Sequence, residues 1–281
     1  MKGLGIIIAG VAMSAIGLGI AGVSAKKAYD EFKEMDKITQ EGHVDFVNNS
    51  KVSIEIAGGS VAIHKSETTT SYADYKISDV YTVKYDKEEN EFKLTRKWKY
   101  WFMWTTNKNS TVDIYLAEQE YDAYLEVSAG TLTVTDSFTF KNLDVEISAG
   151  TINYNEDINV KNDAKFRVSA GDFNLNGDVI VGNDATLKVS AGDLNVKYIE
   201  AKNLNVRISA GDINCKVKSD NIEFRVSAGD LVMNIVGEKL DYTIDIDKSA
   251  GSCNIKDNEG GSKKLDGKIS AGKAEIFFVS E

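Results

Sequence analysis

Four carboxylates recur at near-constant spacing: Asp172, Asp193, Asp212 and Asp230 each directly follow a Ser-Ala-Gly triplet. Carboxylates stacked on successive turns of a repeat would suit a hard cation such as calcium. The residues four places before the same glycines decide how that ladder reads. They are Arg167, Lys188, Arg207 and Arg225. Where the residue after the glycine is Ser60, Thr131, Thr151 or Ser252, the earlier position is acidic: Glu55, Glu126, Glu146 and Asp247. Only Lys268 with Lys273 departs from this switch. Charges that change sign together point to pairing around a corner, worth ~0–1 kcal/mol per exposed pair. That compensated surface is the reading taken here, with the calcium ladder as its rival.

Other reactive groups are sparse. The serines of the triplets would need a base to act as nucleophiles, and the two histidines, His43 and His64, lie outside the triplet repeats. Cys215 and Cys253 are too few for a disulfide framework or a zinc site. If successive repeats stack in order, these thiols lie roughly 9–10 Å apart, beyond the ~7 Å reach of a disulfide. Asn153, Asn174, Asn195, Asn214 and Asn254 share one position and read as stacked amides bonding along a ladder. There is no phosphate-binding loop, dinucleotide fingerprint or H-E-x-x-H helix. No catalytic residue and no cofactor is expected.

The elements that carry these residues follow from the repeat. The triplet glycines are Gly130, Gly150, Gly171, Gly192, Gly211, Gly229, Gly251 and Gly272, spaced 18 to 22 residues apart, the mark of a solenoid. Apolar residues alternate at seven, five and three places before each glycine and at two and four places after it. That pattern is two half-buried strands joined at a corner, where glycine permits the bend and alanine fits the tight inside. A short third apolar stretch, such as 158–160 or 179–181, completes many turns. An earlier, degenerate repeat is present at Val52, Ile54, Ile56, Gly59, Val61 and Ile63. The fold class is therefore all-β: a parallel β-solenoid of about nine coils of ~20 residues, stacked because no coil buries its own apolar face.

An insertion at 64–111 separates the degenerate coil from the main array. It contains a hairpin, 81–85 with 91–97, and an aromatic cluster of Trp98, Tyr100, Trp101, Phe102, Met103 and Trp104. The cluster reads either as a cap on the open end of the solenoid or as a contact surface for a membrane or partner.

Residues 3–25 carry no charge and are long enough for one transmembrane helix. The alternative is a signal peptide cut after Val23-Ser24-Ala25, which would leave a secreted protein. Residues 26–43 read as a helical stalk or linker, and 44–281 as the β-domain. The chain has 281 residues, no proline and a net charge of −10, which suits a mostly paired chain and excludes nucleic acid as a partner.

The degenerate first coil, Lys-Trp-Lys-Tyr-Trp-Phe at 97–102, the strand Thr-Val-Asp-Ile-Tyr-Leu at 111–116 and the Ser-Ala-Gly coils occur in one order. In that order they resemble the bacterial putative-adhesin family, β-solenoid domains of unknown function in cell-surface and envelope proteins. The resemblance covers roughly residues 44–279 and supplies no catalytic motif. Together with the uncharged run at 3–25, the candidate cleavage site and the repeat fold, it points to a single-pass membrane protein whose extracytoplasmic β-domain binds a protein or cell-wall partner. A membrane-associated scaffold in the envelope stress response is the alternative. An enzyme acting on envelope polysaccharide is the weakest option, because the Asp ladder is matched by basic residues.

Overall fold

The computed structural model describes residues 37–97 and 109–280. The expected anchor at 3–25, the first part of the stalk and the aromatic cluster at 98–104 lie outside the described residues. Among the described residues no helix is long and apolar enough to cross a membrane.

Those residues form an all-β solenoid whose strands join in one continuous sheet. The first segment supplies β1 (Ile38–Asp45), β2 (Lys51–Lys65), β3 (Tyr72–Ser78), β4 (Tyr81–Asp86), β5 (Glu91–Arg96) and β6 (Thr111–Leu116). The repeat array supplies β7 (Tyr121–Val134), β8 (Phe138–Tyr154), β9 (Ile158–Val160), β10 (Ala164–Val189), β11 (Asp193–Ile208), β12 (Asp212–Val226) and β13 (Asp230–Val236). The last segment supplies β14 (Tyr242–Lys248), β15 (Ser252–Cys253), β16 (Lys263–Ile269) and β17 (Lys273–Val279). The stalk expected over 26–43 is a strand from Ile38 onward, because β1 pairs antiparallel with β3 from Ile38↔Ser78 to Asp45↔Tyr72.

Each turn has three faces. The first precedes the corner glycine, the second follows it, and the third is the short stretch in which β9 pairs with Val179–Val181 of β10. The alternating positions point inward as the pattern requires: Val127, Ile147, Leu187, Leu194, Phe224 and Leu231 are fully buried. Each such side chain withdrawn from water contributes about 1.5–3 kcal/mol, and stacking makes the core continuous along the axis.

The corners stack as a column. Gly171 stands over Gly150, Gly192 over Gly171 and Gly211 over Gly192, each with its missing Cβ directed at the carbonyl below. The N–H groups of Ser190 and Ala191 donate to the carbonyls of Val168 and Ser169, so the ladder runs through the bend unbroken. The alanine does not fill the inside of the corner. Ala149, Ala170, Ala191, Ala210 and Ala228 are exposed. With glycine at positive φ (99° at Gly192), the chain turns at the glycine, and the preceding methyl faces solvent. A small residue there lets neighbouring corners approach at strand spacing.

The stacking order departs from chain order at both ends. Strand β2 pairs directly with β7, Ile54 opposite Leu125 and Ile63 opposite Val134. On its other side β2 meets β5 and then β6. The insertion therefore does not separate the first coil from the array; it folds outside that coil and covers it. Antiparallel pairs β4–β5, β3–β6 and β1–β3 finish this end.

At the other end β16 and β17 slot between two earlier coils. Strand β16 lies between β12 and β14, and β17 lies between β13 and β15. The outer edge of β14 is closed by the bridge of Ile244 with Asn258, which blunts the terminal edge. The same insertion separates the cysteines by three strand spacings, roughly 14 Å, rather than two. Both thiols are free, and burial pushes that of Cys215 up to about 12.

Candidate functional site

The outward ladders are the chemistry this fold presents. Asp172, Asp193, Asp212 and Asp230 pair in register and are exposed, as the spacing requires. They do not pair with the basic residues across the corner. Arg167 donates from Nε and Nη2 to Glu146 at 3.2 and 2.9 Å. Arg225 binds Glu223 of its own strand at 2.9 Å, and Lys268 meets Asp247 at 3.4 Å. The corner turns the two positions onto different faces, whereas neighbours on one face lie about 4.8 Å apart across strands. Charge compensation therefore runs along the first face.

The inserted C-terminal coil explains the one exception in the charge pattern. Lys273 falls in register between Asp230 and Ser252, ending the row of aspartates. Lys268 falls between Arg225 and Asp247, where the basic row meets an acid. In chain order these lysines look like an error; in stacking order they are a junction.

Among the described residues no group of three or more His, Cys, Asp or Glu is arranged to hold a metal ion. The amide ladder is formed: Asn174 donates to Asn153 at 3.0 Å, and Asn195 to Asn174 at 3.1 Å. Asn254 instead brackets the backbone of Ile276, accepting from its N–H and donating to its carbonyl. A second ladder opens the first face, where Asn142 bonds Asp122, Asn203 bonds Asp184 and Asn221 bonds Asn203, at 2.6 to 2.8 Å. Its signal in the sequence is an Asn or Asp eight residues before most corner glycines.

Sequence reasoning missed one constellation altogether. The rings of His43, Tyr72, Tyr115 and His64 stack in a row across β1, β3, β6 and β2, with centroids 5.2, 4.6 and 5.1 Å apart. His43 bonds Asp74 at 2.6 Å through Nδ1 and Asp45 at 3.0 Å through Nε2. His64 bonds Thr135 through Nδ1 at 2.8 Å and Asp113 through Nε2 at 3.3 Å. Because the rings face one another, the row offers its polar edges outward. The hydrogen bonds to Asp74 and then Asp45 raise the His43 pKa above its ordinary value. A raised imidazole stabilises the fold fully below its unfolded pKa, and that contribution is lost as pH rises through the folded pKa. In an NMR titration the His43 ring should therefore titrate above the free-histidine range. Asp74→Asn should move it back down, and an unchanged midpoint would sever the link to Asp74.

Three shallow grooves follow the faces. The largest, about 1090 Å³, runs along the third face past Lys65, Glu118, Phe138, Asp157, Lys161 and Ile180. One of 660 Å³ lies mid-solenoid on the first face and includes Lys188, Asn205 and Arg207. The third, 480 Å³, lies on the same face nearer β2 and includes Ser53, Tyr124 and Asp144. Trp98, Tyr100, Trp101, Phe102 and Trp104 lie outside the described residues, between the end of β5 and the start of β6.

Compared with known proteins, residues 49–279 match the model of a family described as Toastrack DUF4097. No curated protein matches the chain. Among solved structures, a putative adhesin of Bacteroides fragilis NCTC 9343 shares 13% identity at a TM-score of 0.54, covering 85% of this chain and 97% of that one. A putative adhesin of Parabacteroides distasonis ATCC 8503 shares 13% identity at a TM-score of 0.37, over 86% and 97% of the two chains. The first likeness is one of fold.

Proposed function

The chain belongs to the Toastrack DUF4097 family, and on that premise we propose that it is a non-catalytic binding domain of adhesion type. In this reading residues 3–25 hold it in the cell membrane and the solenoid faces away from the cytoplasm. The observation that carries the proposal is the set of shallow grooves running along the faces, each lined by equivalent positions of successive coils. A solenoid offers an extended ligand contacts at regular spacing, so affinity grows with ligand length and needs no deep pocket. The corner serines have no histidine beside them, since both histidines sit in the row at the β1 end. The Bacteroides fragilis structure of similar fold is itself described as a putative adhesin, which supports the same reading.

Treating intact cells with proteinase K tests it. A C-terminal epitope should be lost without lysis. An epitope that survives until the cells are broken would overturn the outward-facing reading.

A scaffold that contacts another membrane protein is favoured by one observation. Strand β1, which follows the proposed anchor, and β5 and β6, which flank the aromatic cluster, belong to the same end of the solenoid. A partner held in the same membrane would be met first at that end, where the chain segment carrying Trp98, Tyr100, Trp101, Phe102 and Trp104 joins β5 to β6.

A further inference from the structure

Resting on the binding reading above, we propose that the first face of the solenoid holds an anionic polysaccharide, with Lys188 and Arg207 as the contacts for its carboxylate or phosphate groups. The basic row on this face comprises Arg167, Lys188, Arg207, Arg225 and Lys268. Arg167, Arg225 and Lys268 each engage a carboxylate. Lys188 and Arg207 form no ion pair among the described residues, although the chain carries 43 acidic side chains against 33 basic ones. They are exposed, in register with each other, and line the same 660 Å³ groove. Arg207 donates Nε to Asn205 at 2.9 Å, which steadies the guanidinium while its terminal nitrogens stay available for an oxyanion.

The rest of the groove argues for a sugar polymer over one held by charge alone. Asp184, Glu223, Lys264 and Asp266 also line it, with Lys264 paired to Asp266 and Glu223 to Arg225. Among the described residues Lys188 and Arg207 are therefore its two unpaired cations, and the groove is not basic throughout. A polymer that adds hydroxyls to its anionic groups fits better. Thr186, Asn203, Asn205 and Asn221 supply donors and acceptors at strand spacing, about 4.8 Å, along the axis. The exposed aspartates of the neighbouring face lie round the corner and repel an anionic chain that strays from the groove.

The test uses the full-length chain in detergent micelles, titrated with polygalacturonate, with a glycerol-phosphate polymer, with neutral dextran and with single-stranded DNA. Either anionic polymer should bind, more weakly as salt is raised, and the tighter of the two identifies the anion. The Lys188→Gln/Arg207→Gln variant should bind roughly fivefold or more weakly. Lys256→Gln, in the loop after β15, should bind as the unaltered chain does. Equal binding by the double variant would overturn the proposal, as would DNA held as tightly by the same cations. Dextran or isolated cell wall bound equally by both forms would reject the ligand class and leave the binding reading intact. Binding to none of these polymers, nor to cell wall, would remove both.

Discussion

A chain ending at Gly261 is expected to lose amide protection in β14 as fully as if that strand had itself been deleted. Strands β16 and β17 stand between β12–β13 and β14–β15, so the truncation removes the layer on which the preceding coil rests. It takes away Leu265, Ile269 and Ile276, all buried, worth about 5–9 kcal/mol together. It also bares the inner edges of two coils. That sum is comparable with the whole stability of a typical domain, ~5–15 kcal/mol. In a solenoid the loss stays local, so the array from β7 to β11 should keep its protection. Hydrogen exchange on the truncated chain separates the cases. Sequential stacking would leave β14 protected, and so would re-docking of β14 onto β12; either result contradicts the expectation.

Shape complementarity explains why the last coil enters there. The position five before the corner is large in neighbouring coils, Phe224 and Ile246, but it is Gly267 in the inserted one. A Cβ on Gly267 would lie 2.2 Å from the Phe224 ring and 2.8 Å from Ile246. The glycine leaves room for the two larger side chains on either side of it.

The second large effect is expected at the corner column. Gly192→Ala should cost about 3–5 kcal/mol and lower the urea midpoint accordingly. The new Cβ would stand 2.2 Å from the carbonyl oxygen of Gly171 and 2.7 Å from its nitrogen, so backbone must move against backbone. The φ of +99° adds conformational strain of about 1–2 kcal/mol. Gly260→Ala supplies the comparison. Its φ is +92°, but nothing lies within 4 Å of the new methyl, so only the strain should register. If both variants lose the same stability, close stacking is not what the corner glycine provides.

The sequence by itself determined the solenoid, its corners and the inward residues. A strand's faces alternate with period two, and a corner glycine every 18 to 22 residues sets the turn, so local pattern suffices. It also determined the amide ladder from Asn153 to Asn195, since equal positions on stacked coils must be neighbours. Other features needed the tertiary structure. Which coil lies on which depends on fit between segments far apart in the chain, such as Gly267 between Phe224 and Ile246. The charge partners followed from that order, because Arg167 and Lys268 find carboxylates on adjacent strands and not across their own corners. The row of His43, Tyr72, Tyr115 and His64 comes from four strands outside the repeat, where antiparallel register, which no repeat announces, brings the rings together.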